Sequence, residues 1–374
     1  KGDVRMELPK GWKLLSFSEA FKDRTGGQQK IKKNDYLASG NLPIIDQGQQ
    51  FVAGFTNNLN FQCNIELPCI LFGDHTKKFK FVEKPFALGA DGVKVLETNK
   101  NIDTKFAFHY LQTLYLPDVG YSRHFRFLKR TVIPVPPIAS QRRIANILDK
   151  ADEIVRKRKE AIALTEQLQK SIFLDMFGDP VINPKGWEVE ELNNVISIIS
   201  GQVDPKVEPF IDMPHIGGEN LQSNTNNIQN IKTPRELKLK SGKYLFQSGN
   251  VLYSKIRPYL NQVVITDFSG VCSADIYPLR VIETKIKNDF LIYLLRSKFF
   301  LDYAQKHSTR TNIPKINRPT LLSFRFPCPP INIQKDFSDK CNKITQIQKN
   351  FNQYLTESEN LFNSLLQKAF KGEL

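Results

Sequence analysis

The sequence predicts an α+β protein with a pseudo-twofold internal repeat: two mixed α/β globular domains separated by two long helices packed as an antiparallel coiled coil. A Pro-Lys-Gly-Trp segment at 9–12 recurs at 184–187, and a Pro-x-Pro-Pro segment at 134–137 recurs at 327–330. A long proline-free stretch with helical periodicity follows each Pro-x-Pro-Pro segment, so the repeating unit is a domain plus a helix. The expected boundaries are 1–138 and 179–331 for the globular domains, and 139–178 and 332–374 for the helices.

Both globular domains contain short runs rich in β-branched and aromatic residues, broken by turn-forming residues. Such runs are typical of strands, and their alternation with turns predicts a twisted sheet in each domain. One helix is expected in each domain, at 104–116 and at 287–306. The predicted strands lie at 68–72, 92–96, 251–254, 262–266 and 276–280.

The two long stretches carry a heptad seam, because their apolar positions alternate at spacings of four and three. Ten positions from 144 to 176 follow the pattern, and adding 193 to each gives ten equivalent positions from 337 to 369. This shared register favours packing of one helix on the other; the alternative is an ordinary amphipathic helix on each domain. Ser140 and Asn332 are the expected N-caps. The residues expected in the seam or at partner contacts are Ile144, Leu148, Val155, Ile162, Ile172, Phe337, Ile344, Phe351, Leu355 and Leu365.

A second apolar stripe flanks the first seam at Ile147, Ile154, Ala161 and Leu168, which predicts a wider buried face. A helix of roughly 36 residues would span about 54 Å. Antiparallel packing would place the two domains at opposite ends of such a rod. Because B-DNA repeats about every 34–36 Å, this geometry suggests a bipartite DNA site with an unread spacer.

The chain is strongly basic, with 53 Lys and Arg against 38 Asp and Glu, a net charge of +15 over 374 residues. Such a charge attracts polyanions, and nucleic acid is the first candidate; the alternative is a charge that only maintains solubility. No apolar run approaches the roughly 20 residues of a membrane span, and the first residues lack the apolar segment of a secretory signal. Five scattered cysteines are expected to be reduced, which indicates a cytoplasmic protein.

Basic and aromatic residues interleave in four segments of the globular domains. Arg and Lys suit phosphates and guanine edges, and Asn suits adenine, so these segments are the expected DNA contacts. The alternative is that the aromatics fill the core while the cations form a solvated face. The candidate DNA-binding residues are Lys77, Lys78, Lys80, Tyr121, Arg123, His124, Arg126, Lys255, Arg257, Tyr259, Arg310, Asn312, Lys315 and Asn317.

Four parts of the sequence resemble those of a known protein family. The segment at 133–144, IPVPPIASQRRI, resembles the opening of the central conserved region of Type I restriction–modification specificity subunits (HsdS). The last ten residues resemble the C-terminal ending of those subunits. Residues 249–260 with 270–275, and 71–76 with 90–94, resemble two versions of a motif in their target-recognition domains. With the domain–helix–domain–helix order, the resemblance covers essentially the whole chain.

The resemblance implies a DNA-reading chain without catalysis of its own. Each target-recognition domain would read one half of a bipartite site in double-stranded DNA. The helices would set the spacer and bind two methyltransferase (M) subunits, and restriction (R) subunits would join them in the full complex. The cofactor S-adenosylmethionine is expected in the M subunits, and none is expected in this chain.

The sequence itself carries little sign of catalysis. Its two Pro-Pro pairs follow Val135 and Cys328, where an amino-methyltransferase needs an acidic residue or Asn, and a P-loop pattern is absent. The His and Cys residues have no zinc-ligand spacing. Gly73-Asp74-His75 could belong to a nuclease site; the alternative is a turn that positions a loop. A cryptic nuclease and a charged coiled-coil scaffold therefore remain the competing hypotheses.

Overall fold

The structure is a computed structural model that describes residues 9–89, 92–117, 123–308 and 313–374. Its contacts divide the chain into two compact units. Unit 1 comprises Lys1–Glu160 with Gln353–Leu374, and unit 2 comprises Ala161–Asn352. Each unit contains a globular part and one half of each long helix, and both mix helices with sheets, so the predicted α+β class is confirmed.

The described residues in the globular part of unit 1 form short strands and three α-helices. The strands are β1 (Lys13–Ser16), β2 (Phe21–Asp23), β3 (Leu42–Ile45), β4 (Gly54–Thr56), β5 (Cys69–Gly73), β6 (Phe79–Val82), β7 (Ala87–Leu88), β8 (Val93–Thr98) and β9 (Val132–Val135). The helices are α1 (Phe17–Ala20), α2 (Thr104–Thr113) and α3 (Phe125–Leu128). The long helix α4 (Ile138–Phe177) follows.

The globular part of unit 2 is built from a similar set of elements. Its strands are β10 (Val189–Glu191), β11 (Ile196–Ile198), β12 (Gln202–Val203), β13 (His215–Ile216), β14 (Lys243–Phe246), β15 (Val251–Ser254), β16 (Val263–Ile265), β17 (Gly270–Cys272), β18 (Ile276–Val281) and β19 (Arg325–Pro327). Its helices are α5 (Pro234–Leu237), α6 (Asn288–Arg296), α7 (Lys298–Lys306) and α8 (Arg318–Leu322). The second long helix is α9 (Ile331–Lys371).

The two units repeat one topology. Each has a four-stranded antiparallel sheet, in the order β2-β8-β5-β6 in unit 1 and β11-β18-β15-β16 in unit 2. A second sheet in each contains a parallel pair, β3 with β7 and β13 with β17. The five predicted strands coincide with β5, β8, β15, β16 and β18 to within about two residues. The internal repeat in the sequence is therefore a repeat of structure.

The two motifs that mark the repeat meet in space. The strand after each Pro-Lys-Gly-Trp segment pairs with the strand that carries the Pro-x-Pro-Pro segment: β1 with β9, and β10 with β19. Both pairs are antiparallel, with Lys13 opposite Val135 and Val189 opposite Pro327. This pairing closes each globular part where its long helix begins.

Each four-stranded sheet is covered by an aromatic-rich core. Phe17, Phe72 and Phe125 are buried in unit 1 between the sheet and the helices α1 and α3. In unit 2, Phe290 and Phe300 lie in the core beneath α6 and α7.

The helix predicted at 287–306 is broken at Ser297. The backbone of Ser297 is extended, and its hydroxyl accepts a hydrogen bond from the N–H of Phe300. The predicted helix at 104–116 ends at Thr113.

The long helices begin directly after the prolines. The carbonyl of Pro137 accepts a hydrogen bond from the N–H of Gln141 at 3.1 Å, and that of Pro330 accepts one from Gln334 at 3.2 Å. The prediction of Ser140 and Asn332 as N-caps is therefore wrong, because both residues already lie inside a helix. Proline suits this place because its fixed φ is helical and the first N–H groups of a helix have no helical partner.

The two helices pack antiparallel within each unit, as predicted. In unit 1, Ile144 and Leu148 near the start of α4 pack with Leu365 and Ala369 near the end of α9. In unit 2, Phe173 near the end of α4 lies 5.7 Å, between ring centroids, from Phe337 near the start of α9. The expected seam residues are all buried or half-buried: Ile144, Leu148, Val155, Ile162, Ile172, Phe337, Ile344, Phe351, Leu355 and Leu365.

The second stripe of α4 is only partly buried within this chain. Ile147 and Ala161 are half-buried, whereas Ile154 and Leu168 are exposed, so the predicted wider buried face is wrong at Ile154 and Leu168. None of the helices in the described part of the chain has both the length and the apolar character of a membrane-spanning segment.

Candidate nucleic-acid interface

The basic segments noted in the sequence fall on topologically equivalent connections. One connection joins β5 to β6 and contains Lys77 and Lys78; its counterpart joins β15 to β16 and contains Lys255, Arg257 and Tyr259. A second pair of segments precedes α3 in unit 1 and α8 in unit 2. The structure thus gives each unit the same two basic connections.

In unit 1, Asp74 holds the two connections together. Its carbonyl accepts a hydrogen bond from the N–H of His124 at 2.9 Å, and its carboxylate accepts one from the N–H of Phe125 at 2.7 Å. Asp74 is buried. These bonds bring Lys77 and Lys78 beside the segment of Arg123 and Arg126. The Asp74 carboxylate therefore already accepts a hydrogen bond from the backbone. This favours the alternative that Gly73-Asp74-His75 is a turn that positions a loop, and not part of a nuclease site.

The basic residues of unit 1 differ in exposure. Lys78, Arg123 and Arg126 are exposed and Lys77 is half-buried, whereas His124 and Lys80 are buried. The Lys80 ammonium donates hydrogen bonds to the carbonyls of Asp46 at 2.7 Å and Gln50 at 2.5 Å. Burial lowers the pKa of Lys80. A third, longer bond reaches the carbonyl of Phe51 at 3.4 Å, so a phosphate would have to compete with three backbone carbonyls for the Lys80 ammonium.

In unit 2, backbone hydrogen bonds join the corresponding connections. The N–H of Arg257 donates to the carbonyl of Pro314 at 2.7 Å, and the carbonyl of Lys255 accepts a bond from the N–H of Ile316 at 3.0 Å. Arg257 and Tyr259 on one connection therefore lie close to Lys315 on the other. The two connections form one surface, as they do in unit 1.

Lys255 is the buried member of the unit 2 cluster. Its ammonium hydrogen-bonds the carbonyl of Ala274, lies 3.5 Å from the Asp275 carboxylate and sits 5.3 Å from the centroid of the Tyr277 ring. Burial and the nearby charge of Lys315 lower the pKa of Lys255. Lys255 therefore resembles Lys80 as a cation held by its own domain.

The remaining residues of the cluster are accessible to a ligand. Tyr259 is 59% exposed and Arg257 is exposed, whereas Lys315 is half-buried. Asn317 is exposed, although its side-chain oxygen accepts a bond from the N–H of Thr320 and caps α8. Three further candidates lie outside the described residues: Tyr121, Arg310 and Asn312.

The backbone at these connections has a feature that no sequence pattern indicated. Lys77 has a φ of 58° and Arg257 a φ of 47°, so both adopt the left-handed conformation. Side chains other than Gly, Asn and Asp rarely adopt it, and residues held there cluster at functional sites. A strained basic residue thus stands on the same connection of each unit.

Comparison with known proteins gives matches in both halves of the chain. The Type I restriction modification DNA specificity domain matches residues 9–164 and 184–360. The chain is 34% identical over 198 residues to the EcoDI specificity subunit of Escherichia coli, an alignment covering 51% of this chain and 43% of that subunit. It is 24% identical over 302 residues to the MjaVIII specificity subunit of Methanocaldococcus jannaschii, covering 71% of this chain and 69% of that one.

Two solved structures share the fold. The S subunit of a Type I restriction–modification system from M. genitalium superposes with a TM-score of 0.60 at 14% identity, covering 99% of this chain and 98% of that chain. A chain solved in work on assembly and conformational transition of the type I R-M system has a TM-score of 0.53 at 18% identity, covering 98% and 100%. The specificity domain matches both repeats and spans most of the sequence, and this chain therefore belongs to the Type I restriction modification DNA specificity domain family.

Proposed function

We propose that this chain is the DNA-sequence-recognition subunit of a Type I restriction–modification enzyme and has no catalysis of its own. Each globular domain reads one half of a bipartite site in duplex DNA. The observation that carries the proposal is the repetition of one basic surface on equivalent connections of the two units. A positively charged chain with two such surfaces is suited to bind one polyanion at two places.

The exposed side chains of these surfaces have the chemistry of DNA readers. In unit 1 they are Lys78, Arg123 and Arg126, and in unit 2 they are Arg257, Tyr259 and Asn317. Guanidinium groups bind phosphates and guanine edges in bidentate geometry, while lysine supplies a point charge. We propose that Lys80, His124 and Lys255 support these surfaces from inside the domain, because their side chains are buried.

The chemistry of modification and restriction belongs, in this proposal, to partner subunits. The chain has no methyltransferase or P-loop pattern, so M subunits supply S-adenosylmethionine and methyl transfer, and R subunits supply ATP-driven translocation and cleavage. Chromosomal DNA as the ligand, together with five free thiols, favours a cytoplasmic location.

The helices offer a repeated surface for two M subunits. Ile154 and Leu168 on α4 and Ile347 and Leu361 on α9 are exposed, and each pair is related by the offset of 193 residues. Between them stand Ala161 and its equivalent, the exposed Tyr354. Exposed apolar residues at heptad spacing are typical of a helix that packs against a further helix. We propose that each stripe docks one M subunit.

The main experiment co-expresses this chain with its M subunits and maps methylated bases across the host genome. We expect one bipartite motif with a fixed spacer, and footprinting of the purified complex should protect both halves. DNA affinity should fall steeply with salt while a sequence-specific excess remains. Absence of a motif and of protection would contradict the proposal, and metal-dependent cleavage by the chain alone would support the nuclease hypothesis instead.

The docking proposal has a separate test with matched controls. Ile154→Asp and Ile347→Asp together should lower the affinity for M subunits by at least about tenfold, because they place charge in an apolar contact. Gln167→Asp and Asn360→Asp are the controls, since both residues are exposed, are 193 residues apart and lie outside the stripes. Equal loss of M binding in the controls would contradict docking on the stripes.

A further inference from the structure

Two buried glutamines, Gln141 and Gln334, stand at the start of the long helices. They are 1% and 0% exposed and are separated by the repeat offset of 193 residues. A primary amide has one acceptor oxygen and two N–H donors, and burying it is costly unless all of them are bonded. The partners of these amides therefore indicate what each side chain does.

In unit 1, Gln141 joins the start of α4 to the loop before α2. Its side-chain oxygen accepts a hydrogen bond from the N–H of Asp103 at 2.8 Å. Its side-chain nitrogen donates to the carbonyl of Asn101 at 3.1 Å and to that of Pro136 at 2.8 Å. Asp103 is the residue that caps α2. The amide is fully bonded and ties a helix of the recognition domain to the long helix.

In unit 2, Gln334 makes the equivalent three bonds to backbone groups, together with one long contact to the Cys328 sulfur. Its oxygen accepts from the N–H of Lys287, the N-cap residue of α6, at 2.9 Å. Its nitrogen donates to the carbonyls of Lys285 at 3.2 Å and Pro329 at 2.7 Å. The residues beside the glutamines differ, with Ser140 replaced by Ile333, but the three bonds to backbone groups are equivalent. The geometry is thus retained while neighbouring side chains change.

Every one of the three bonds shared by the two glutamines is made to a backbone group; the one side-chain partner is the Cys328 sulfur, 3.8 Å from the Gln334 nitrogen. The connection between domain and helix consequently does not depend on which side chains the recognition domain carries. The oxygen and one N–H of each amide are directed at a single loop, while the other N–H bonds the carbonyl five residues earlier in the chain, just before the helix. Two bonds to one loop restrict its rotation about the helix start more than one bond would. Each glutamine is therefore placed to fix the angle between its domain and its helix.

We propose that Gln141 and Gln334 are positioning residues that fix the angle of each recognition domain on its helix, and so the half-site spacing that the protein accepts. This inference rests on the proposed function, because it concerns the spacer of the same bipartite site. Neither glutamine contacts DNA in this proposal. Their loss should leave the sequence of each half-site unchanged and relax only the distance between the half-sites.

The experiment uses the complete chain with its M subunits and duplexes whose spacer is the preferred length or one base pair shorter or longer. Gln141→Ala and Gln334→Ala should raise methylation at the altered spacers, relative to the preferred one, by about tenfold over the wild type. Gln28→Ala is the matched control. Gln28 also makes three hydrogen bonds to backbone groups, with Arg24 and Asn64, but entirely within the domain.

A second variant guards against loss of folding. Gln141→Glu retains the acceptor for the N–H of Asp103 and loses the donors, so it should also relax the spacer. Failure of both Gln141 variants to fold would overturn the inference, since the glutamine would then be required by the fold itself. An unchanged spacer profile, or equal relaxation in Gln28→Ala, would overturn it as well. A wild-type complex without any bipartite requirement would instead refute the proposed function, and this inference with it.

Discussion

The side-chain amide of Gln348 donates a 2.9 Å hydrogen bond to the hydroxyl of Thr165, in a seam where the heptad pattern favours apolar pairs. The Thr165 hydroxyl in turn donates to the carbonyl of Ile162 at 2.6 Å. Both residues lie in unit 2, on α4 and α9. A shift of one helix along the other would separate this pair, so it favours a single register.

Thr165→Val removes the partner of the Gln348 amide. We expect the free energy of unfolding to fall by about 1 kcal/mol, because a half-buried donor loses its bond. Adding Gln348→Leu should recover most of that loss, since the seam then becomes apolar on both sides. Denaturant unfolding of the single and double variants measures this coupling. Additive effects of the two changes would contradict it.

Asp149 of α4 links the long helix to the globular part of unit 1 by ionic contacts, in addition to the hydrogen bonds of Gln141. Its carboxylate lies 2.9 Å from the Lys105 ammonium and 2.8 Å from the His109 ring nitrogen, both on α2. Burial raises the pKa of Asp149, but the hydrogen bonds from Lys105 and His109 lower it by a larger amount. The pKa of Asp149 is therefore below its ordinary value. A depressed carboxyl pKa stabilises the fold at neutral pH, and this contribution is lost as the pH falls through the folded-state pKa.

Asp149→Asn should therefore lower the free energy of unfolding at pH 7 by about 1 kcal/mol, a value reduced by solvent screening of the partly exposed carboxylate. The difference in the free energy of unfolding between the variant and the wild type should become smaller once the pH falls below about 4. Unfolding curves across pH measure it. Asp152→Asn, at an exposed position on the same helix, is the control, and a difference independent of pH would exclude the ionic contribution.

The sequence was sufficient to predict the repeat, the long helices and the main strands, because each rests on local periodicity or on proline and turn chemistry. The sequence did not indicate that Lys80 is buried while Lys78 is exposed. The carbonyls that accept hydrogen bonds from Lys80 belong to Asp46 and Gln50, some thirty residues away. The left-handed backbone of Arg257 is likewise set by contacts with a distant segment. Whether a charged side chain is buried depends on its partners in the tertiary structure, and the spacing of residues in the sequence does not predict those partners.

Arg257→Ala should impair recognition of one half-site only, because the residue lies on the basic surface of unit 2. Lys78→Ala should affect the other half-site. Each change should reduce affinity and lower the slope of log affinity against log salt by about one phosphate contact. Binding to duplexes altered in one half at a time measures this. Arg235→Ala is the control, since Arg235 pairs with Asp212 and Glu208; equal effects on both halves would contradict the division of recognition.

Leu148 and Leu164 lie on opposite sides of α4, at 0% and 62% exposure. Leu148→Asp should lower the free energy of unfolding by about 3–5 kcal/mol or prevent folding, because it buries a charge in the seam. Leu365→Asp should act similarly, since Leu365 packs in the same cluster. Leu164→Asp should stay within about 0.5 kcal/mol of the wild type. Comparable losses at Leu148 and Leu164 would contradict the packing of the helices.

The five cysteines are free, and four of them are buried. Burial raises the pKa of Cys63 and Cys328 to about 11 and that of Cys69, Cys272 and Cys341 to about 12.

Because the thiolate is the reactive form, we expect alkylation of the native protein at pH 8 to be slower than that of a free thiol by about a hundredfold or more. The half-buried Cys328 should react first. Mass spectrometry after a timed reaction gives the number of modified thiols, and denatured protein, in which all five should react quickly, is the control. Rapid labelling of a buried thiol in the native chain would require a local opening of its unit, and would locate the part of the fold that opens.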